Sequence, residues 1–122
     1  MTSLNKKQIK KSLRESKDDY DFDGEFCSIN GVKSEPNRVT VKHLLVQRNK
    51  RGNGYGSKMF ESLLEVLRED EVELLTVEVQ AMEDGGPEDP VMEFLSSYGM
   101  KYKKTFEHHN WDTCVRATGR TF

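Results

Sequence analysis

Residues 38–69 read RVTVKHLLVQRNKRGNGYGSKMFESLLEVLRE, and a change of period inside this stretch decides the fold. Residues 38–46 alternate, with Val39, Val41, His43 and Leu45 on one face and Thr40, Lys42, Leu44 and Val46 on the other, the two-residue period of a strand. Apolar side chains on both faces near its end point to an interior strand. From Gly54 to about Glu69, residues Met59, Phe60, Leu63, Leu64, Val66 and Leu67 recur every three or four positions, giving a helix whose apolar stripe must pack on a sheet. Between the two periods lies QRNKRGNGYGSK, residues 47–58.

That junction holds three alternating glycines, Gly52, Gly54 and Gly56. Without a Cβ, the backbone there can take positive φ, curl round a ligand and aim successive N–H groups at it. The first turn of the following helix adds unpaired N–H groups and the positive end of its dipole. Such a nest favours an anion, and Arg48, Lys50, Arg51 and Lys58 flank it with no acid between them. A flexible turn would explain the glycines alone, but not their place between strand and helix in a basic flank. Two other phosphate loops fail on spacing: a dinucleotide fingerprint from Gly52 needs glycine where Ser57 stands, and a P-loop needs lysine before the hydroxyl residue, whereas Ser57 precedes Lys58.

Outward from this junction, residues 26–32 read as a strand, and Ser34, Glu35, Pro36 and Asn37 turn the chain into the next. Residues 3–16 form a short basic helix with Leu4, Ile9 and Leu13 partly on one side. Residues 71–81 return to strand alternation, with Leu75, Val77, Val79 and Ala81 opposite Leu74, Thr76, Glu78 and Gln80. Asp84, Gly85, Gly86, Pro87 and Pro90 mark a loop, and residues 91–98 a helix closed by Gly99 as a left-handed cap. Residues 100–107 and 111–118 make a hairpin turning at His108, His109 and Asn110. The order indicates an α/β domain whose two central strands are joined by a right-handed crossover.

A chain of 122 residues is the size of one domain, here residues 1–122 with a basic helix or arm over residues 1–20. Hydrophobic residues make up 34% and charged ones 33%, yet the apolar positions are gathered in periodic blocks after Phe26, which argues for a folded body with a wet surface. A formal charge of −2 argues against a general nucleic-acid binder. The distribution is uneven: Lys6, Lys7, Lys10, Lys11, Arg14 and Lys17 precede Asp18, Asp19, Asp21, Asp23 and Glu25, so the front is either a solvated helix or a partner-binding arm. No apolar run approaches a membrane span or signal segment. Cys27 and Cys114 are too few for a disulfide framework and lack metal-ligand spacing; they read as packed thiols in a reducing cytoplasm. His108 and His109 have no convergent ligands, so no metal is expected.

Arg51, Gly52, Asn53, Gly54, Tyr55 and Gly56 match the Q/R-x-x-G-x-G/A signature of the GNAT N-acetyltransferase superfamily, and Leu44, Leu45 and Val46 stand where that family's signature strand ends. Residues 94–100, FLSSYGM, resemble its F-Y-x-x-x-G-F segment, and the resemblance covers about residues 38–106. It implies a mixed, mostly antiparallel central sheet with a splayed parallel strand pair and helices on both faces. It implies a cytoplasmic enzyme that moves an acetyl group from acetyl-CoA to a primary amine of a small molecule or protein by direct attack, working as a monomer or homodimer without membrane or nucleic acid.

By the same resemblance, the amides of Arg51, Gly52, Asn53, Gly54, Tyr55, Gly56 and Ser57 bind the pyrophosphate of coenzyme A. The backbone near Leu44, Leu45 and Val46, on a bulged strand that splays from its neighbour, pairs with the pantetheine arm and polarises the acetyl carbonyl. The attacking amine must be neutral; a lysine-like amine is so only about once in 2,500 molecules at pH 7, a handicap of roughly 4.6 kcal/mol. Glu78 and His43 are the candidate bases, each on a central strand, with a solvated or ion-paired Glu78 and a core His43 as the plainer readings. The family's frequent general acid, a tyrosine after the phenylalanine, is here Leu95, which cannot protonate a thiolate. Tyr98, about one helical turn further, is the substitute, with packing as its plainer role. The family's usual first strand has no clear counterpart. These departures keep open a non-catalytic acyl-CoA-binding or interaction module on the same fold, and the basic front keeps open a nucleic-acid-associated role.

Overall fold

The computed structural model describes residues 4–16, 19–109 and 112–122. Its elements run α1 (Lys6–Glu15), β1 (Asp19–Asp23), β2 (Cys27–Glu35), β3 (Arg38–Val46), α2 (Tyr55–Glu69), β4 (Leu74–Gln80), α3 (Pro90–Ser96), β5 (Lys101–Glu107) and β6 (Thr113–Arg120). The strands form one six-stranded sheet in the order β1-β2-β3-β4-β6-β5. Only β3 and β4 pair in parallel; the other neighbours are antiparallel. The sheet is therefore mixed, mostly antiparallel and built round one parallel pair, as the resemblance implies. Asn110, Trp111, Lys17 and Asp18, which entered the expected hairpin turn and charge runs, lie outside the described residues.

Two elements differ from the sequence reading. β1 is not foreseen because its aspartates mask the alternation: Tyr20 and Phe22 pack on the core, while Asp19, Asp21 and Asp23 take the other face. β4 starts at Leu74 rather than at residue 71, because Glu71 belongs to the end of α2. Glu71 has φ 60°, its N–H donates to the Arg68 carbonyl at 3.1 Å, and the Val72 N–H reaches the Leu67 carbonyl at 2.8 Å. That pair of bonds is a Schellman closure with glutamate in the left-handed position usually given to glycine.

The helices also depart from the expectation of helices on both faces. α1 lies directly against α2: Lys6 pairs with Glu61 at 3.1 Å and Glu65 at 2.9 Å, Lys10 with Glu65 at 2.8 Å, and Arg14 with Glu69 at 2.8 Å. α3 reaches α2 through Phe94, whose ring centroid is 5.8 Å from that of Phe60. The physical reason is topological. The β3-to-β4 and β4-to-β5 crossovers join parallel strands and progress in the same direction across the sheet, so crossovers of one hand place α2 and α3 on one side. All three helices bury against a single core that includes Ile9, Leu13, Phe60, Leu63, Val77 and Leu95, each 1% exposed or less. Fully burying side chains of this size stabilises by about 2–3 kcal/mol each before chain entropy is counted. The basic front is thus half engaged, its Lys6, Lys10 and Arg14 laced to the acids of α2.

The opposite face of the sheet carries no helix among the described residues. It carries a set of polar pairs, Ser28 with His43, Asn30 with Asp21, Arg38 with Thr76, and Glu78 with Lys42 and Arg116, among a few apolar side chains such as Leu45 and Leu74. Among the described residues, no helix is long and apolar enough to cross a membrane, and no three His, Cys, Asp or Glu side chains converge as metal ligands. Cys27 and Cys114 are both buried, as read from the sequence.

Candidate functional site

β3 and β4 begin as a ladder, Arg38 with Leu74 through Val41 with Val77, and there the pairing ends although both strands continue. β3 stays paired to β2 as far as Val46, and β4 to β6 as far as Gln80, so the two strands are held by outer neighbours while they separate. The cause lies in the register: Asn30 pairs with His43 and Gly31 with Val41, leaving Lys42 as an extra residue. Such a bulge bends its strand and reverses which residues face which way. Leu44 and Val46 accordingly turn to the core side, and His43 joins the open face. The single alternation read across residues 38–46 is corrected here: Val39 and Val41 do not share a face with His43 and Leu45. His43 is exposed, with Nε2 2.7 Å from the Ser28 hydroxyl, so it is no core histidine.

The splay opens a cleft of about 620 Å³ lined by β3, the glycine junction, the end of β4 and α3. Of the residues assigned to the cofactor from sequence, Leu44, Leu45, Val46, Arg51, Gly52, Gly54, Tyr55, Gly56 and Ser57 line it, whereas Asn53 does not. Asn53 instead donates from Nδ2 to the Lys50 carbonyl at 2.9 Å, and Arg51 from Nε to the Val46 carbonyl at 3.2 Å. The loop is thus fixed by side chains gripping its carbonyls. Gly52 and Gly54 sit at φ +85° and +80°, and a Cβ built on either would meet no protein atom within 4 Å. Gly54 is the N-cap of α2 without a side-chain cap bond, and the first helical N–H to find a partner is that of Lys58, bonded to the Gly54 carbonyl at 3.0 Å. Among the described residues, no hydrogen bond engages the N–H groups of residues 52–57. Six consecutive donors therefore stand ready at a helix N-terminus.

The charges sort differently from the sequence expectation. Arg48 and Arg51 line the cleft. Lys50 lies over the Phe26 ring, 4.3 Å from its centroid, and Lys58 donates to the Leu4 carbonyl at 2.8 Å, so neither points into the cleft. No carboxylate or imidazole is among the cleft's lining residues.

None of the three side chains considered for acid or base chemistry lines the cleft. Glu78 lies at the apex of the splay on the open face, its side chain 10% exposed, with Oε1 2.5 Å from Lys42 Nζ and Oε2 2.7 Å from Arg116 Nε. Burial alone would raise its pKa, but the bonds to Lys42 and Arg116 outweigh it and hold the carboxyl below its ordinary value. A carboxylate stabilised in this way is a weak base. Tyr98 donates to Glu61 Oε2 at 2.6 Å on the helix side and also bonds the Ser57 side chain. Burial first, and the Glu61 carboxylate second, hold its phenol above the usual tyrosine range. Leu95 is fully buried in the core.

Sequence reasoning left out the far wall. Ala81, Met82, Val91 and Phe94 line the cleft from the β4–α3 connection. Gly56 sits between the walls, where an added Cβ would be 3.8 Å from both Phe94 and Val46. Asp89 fixes this wall: its buried carboxylate accepts from Met82 N and Val91 N through Oδ1, and from Glu83 N and Gly85 N through Oδ2, all within 3.1 Å. An Asp before Pro at a helix start is the N-cap signature that marks the position.

No family model matches the chain, and no curated protein matches it in sequence. Solved structures do. Ard1 from Thermoplasma volcanium superposes with a TM-score of 0.66 at 17% identity, over 80% of this chain and 64% of that one. An aminoglycoside 6'-N-acetyltransferase complexed with coenzyme A gives 0.65 at 12% identity, over 96% and 91%. An acetyltransferase from Thermus thermophilus gives 0.61 at 19%, over 90% and 69%. The fold is that of the GNAT acetyltransferases. At these identities the likeness is one of architecture, and the chain spans just under two thirds of the Ard1 structure.

Proposed function

We propose that the protein is an N-acetyltransferase that takes acetyl-CoA as donor and a primary amine, on a small molecule or a protein, as acceptor. The observation that carries this reading is the run of unengaged N–H groups over residues 52–57 at the mouth of a splayed strand pair. The donor set fits a diphosphate: neighbouring amides, a helix N-terminus, Arg48 and Arg51, with open space where Gly52 and Gly54 lack a Cβ. Acetyl-CoA brings the thioester, whose C–S bond would break as the amine forms the C–N bond, the proton lost by the nitrogen passing to the departing thiolate.

On this reading, residues 52–57 hold the diphosphate, and the edge of β3 beyond Val41, which has no strand partner on the β4 side, receives the amide-bearing arm. Leu44, Val46, Val91 and Phe94 exclude water from the arm's apolar segments. Unpaired β3 N–H groups polarise the carbonyl as fixed dipoles. Transfer is direct, since Cys27 and Cys114 do not line the cleft and burial pushes both thiols up. With no carboxylate or imidazole in the cleft, water takes the proton from the amine, the Tyr55 phenol is the one side-chain acid among the lining residues, and Glu78 braces the apex rather than abstracting a proton.

Calorimetric titration with acetyl-CoA, coenzyme A and desulfo-coenzyme A tests the site, and release of free thiol with a panel of amines tests turnover. Binding of all three together with amine-dependent thiol supports the reading; no binding removes it. A second reading, a non-catalytic acyl-CoA-binding module, is favoured by the lack of an ionisable carboxyl or imidazole in the cleft. It predicts binding with no thiol release for any amine.

A further inference from the structure

The open face of the sheet is charge-segregated. The register places Arg38 and Lys42 of β3, Arg116 and Arg120 of β6, and Lys101 and Lys104 of β5 on that face, within four adjacent strands. Among the described residues, the only carboxylate on the same face of β4, β5 and β6 is Glu78, already shared by Lys42 and Arg116; at the margin Glu35 stands 3.7 Å from Arg38. Lys101, Lys104 and Arg120 have no carboxylate partner among the described residues. The acids of this face sit at the far edge, on β1, as Asp19, Asp21 and Asp23.

At one end of this half, where the sheet meets the helix layer, a cleft of about 680 Å³ is lined by Arg38, Leu74, Lys101 and Arg120 from the strands and by Leu64, Arg68 and Tyr98 from the helix side. Arg38, Leu74 and Arg120 are register partners on consecutive strands, so the two arginines stand two strand spacings apart, about 10 Å, the reach of three residues of extended chain. Thr76 and Thr118 form the next row and offer hydroxyls between the cations.

We propose that this half of the open face docks an acidic polypeptide segment, lying extended across β3, β4, β6 and β5 with its carboxylates on Arg38, Lys101, Lys104 and Arg120. Charge complementarity selects the sign of the partner. A nucleic acid fits less well. The aromatic rings here form no row for successive bases: Phe106 on β5 has Lys104 at 5.7 Å and Arg116 at 5.8 Å from its centroid, while the exposed Phe122 lies at the other end of this half, in the cleft lining. The splay apex, marked by Lys42 and Glu78, opens beside this surface, so an amine near the acidic segment is the acceptor; that last assignment rests on the transferase reading, whereas the docking does not.

The test uses the full chain and three fluorescent probes: a peptide of alternating glutamate and serine, its lysine counterpart, and a single-stranded oligonucleotide of equal charge. The expected result is binding of the acidic peptide that weakens with added salt, with no binding of the basic one. The triple variant Lys101→Glu, Lys104→Glu, Arg120→Glu should lose about tenfold or more in affinity, the scale of three exposed charge contacts turned repulsive. The milder set Lys101→Gln, Lys104→Gln, Arg120→Gln, checked by circular dichroism, should lose less and stay folded. Gly54→Trp should leave peptide affinity unchanged, which separates this surface from the glycine junction. Equal binding by wild type and triple variant, or tighter binding of the oligonucleotide, overturns the docking. Coenzyme A binding without peptide binding overturns it while leaving the transferase reading intact.

Discussion

Lys42 Nζ stands 2.5 Å from Glu78 Oε1, one step beyond Val41 and Val77, where backbone pairing between the two central strands stops. A side-chain link thus takes over from the ladder at the point where the strands part. Lys42 is the bulge residue, so the same irregularity that opens the cleft supplies the cation that braces it. Replacing Glu78 by Gln leaves two partly exposed cations without their counter-ion. The expected loss is about 1–2 kcal/mol, between the value of an exposed pair and that of a buried one. In chemical denaturation this appears as a lower midpoint. If thiol release falls by less than about tenfold, the brace is the role; a loss of about 10²-fold or more would make Glu78 a general base.

Gly54→Val places a side chain at φ +80° in the open space before six unengaged amides. Folding should weaken by about 1–2 kcal/mol through the left-handed backbone. Coenzyme A affinity should fall by about 30-fold or more, equivalent to roughly 2 kcal/mol. Calorimetry on the folded variant reads both effects, and wild-type affinity would remove the junction from the site.

Asp89→Asn turns two of the four amide bonds against an NH2 group, since each carboxylate oxygen accepts from two N–H donors. The cost should be about 2–4 kcal/mol. Burial by itself would raise this carboxyl's pKa, but the amides of Val91, Glu83, Gly85 and Met82 together hold it below its ordinary value. A carboxylate depressed in the folded state contributes stability that is complete above its unfolded pKa of about 3.9 and is lost as pH falls through the lower folded value. Urea titrations at a series of pH values from about 7 down to about 3 should show the wild type weakening toward acid and Asp89→Asn lacking this component.

Tyr98→Phe removes a hydroxyl bonded to Glu61 and Ser57 but absent from the cleft lining. Stability should fall by about 1 kcal/mol, while the rate of thiol release stays within about threefold of wild type. A drop of about 10²-fold or more with an altered pH profile would instead make Tyr98 the acid that Leu95 cannot be.

Glu71→Gly should stabilise the protein by about 0.5–1 kcal/mol, because the residue at φ 60° closes α2 in a conformation that costs a Cβ-bearing residue roughly that much more than glycine. A thermal melt that moves down instead would show that the Glu71 side chain contributes something beyond backbone shape.

Much of this architecture is legible in the chain. The switch from period two to period 3.6 at residue 54, and the glycines between, locate β3, α2 and the junction, and the structure keeps all three. What fails is parity: one inserted residue at Lys42 reverses the facing of His43, Leu44 and Leu45, and nothing in the local composition announces a bulge. β1 fails for another reason, since its alternation is written in aspartates on the open face rather than in apolar residues. The roles of charged side chains are the least legible. Lys50 and Lys58 look like phosphate ligands until their partners, Phe26 and the Leu4 carbonyl, are brought to them by distant parts of the chain.

The ion pairs between α1 and α2 run in step, Lys6 to Glu61, Lys10 to Glu65, Arg14 to Glu69, so the two helices point the same way. Side by side, aligned peptide dipoles repel, and this lattice of opposite charges offsets that repulsion. α2 opens at the glycine junction and α3 beside Val91, both in the cleft wall, while α1 begins next to the first turns of α2, at Lys58 and Glu61. On the proposed reading, the pull on a diphosphate is in part a collective field of the helical layer, and it should fade with ionic strength even where every local contact is preserved.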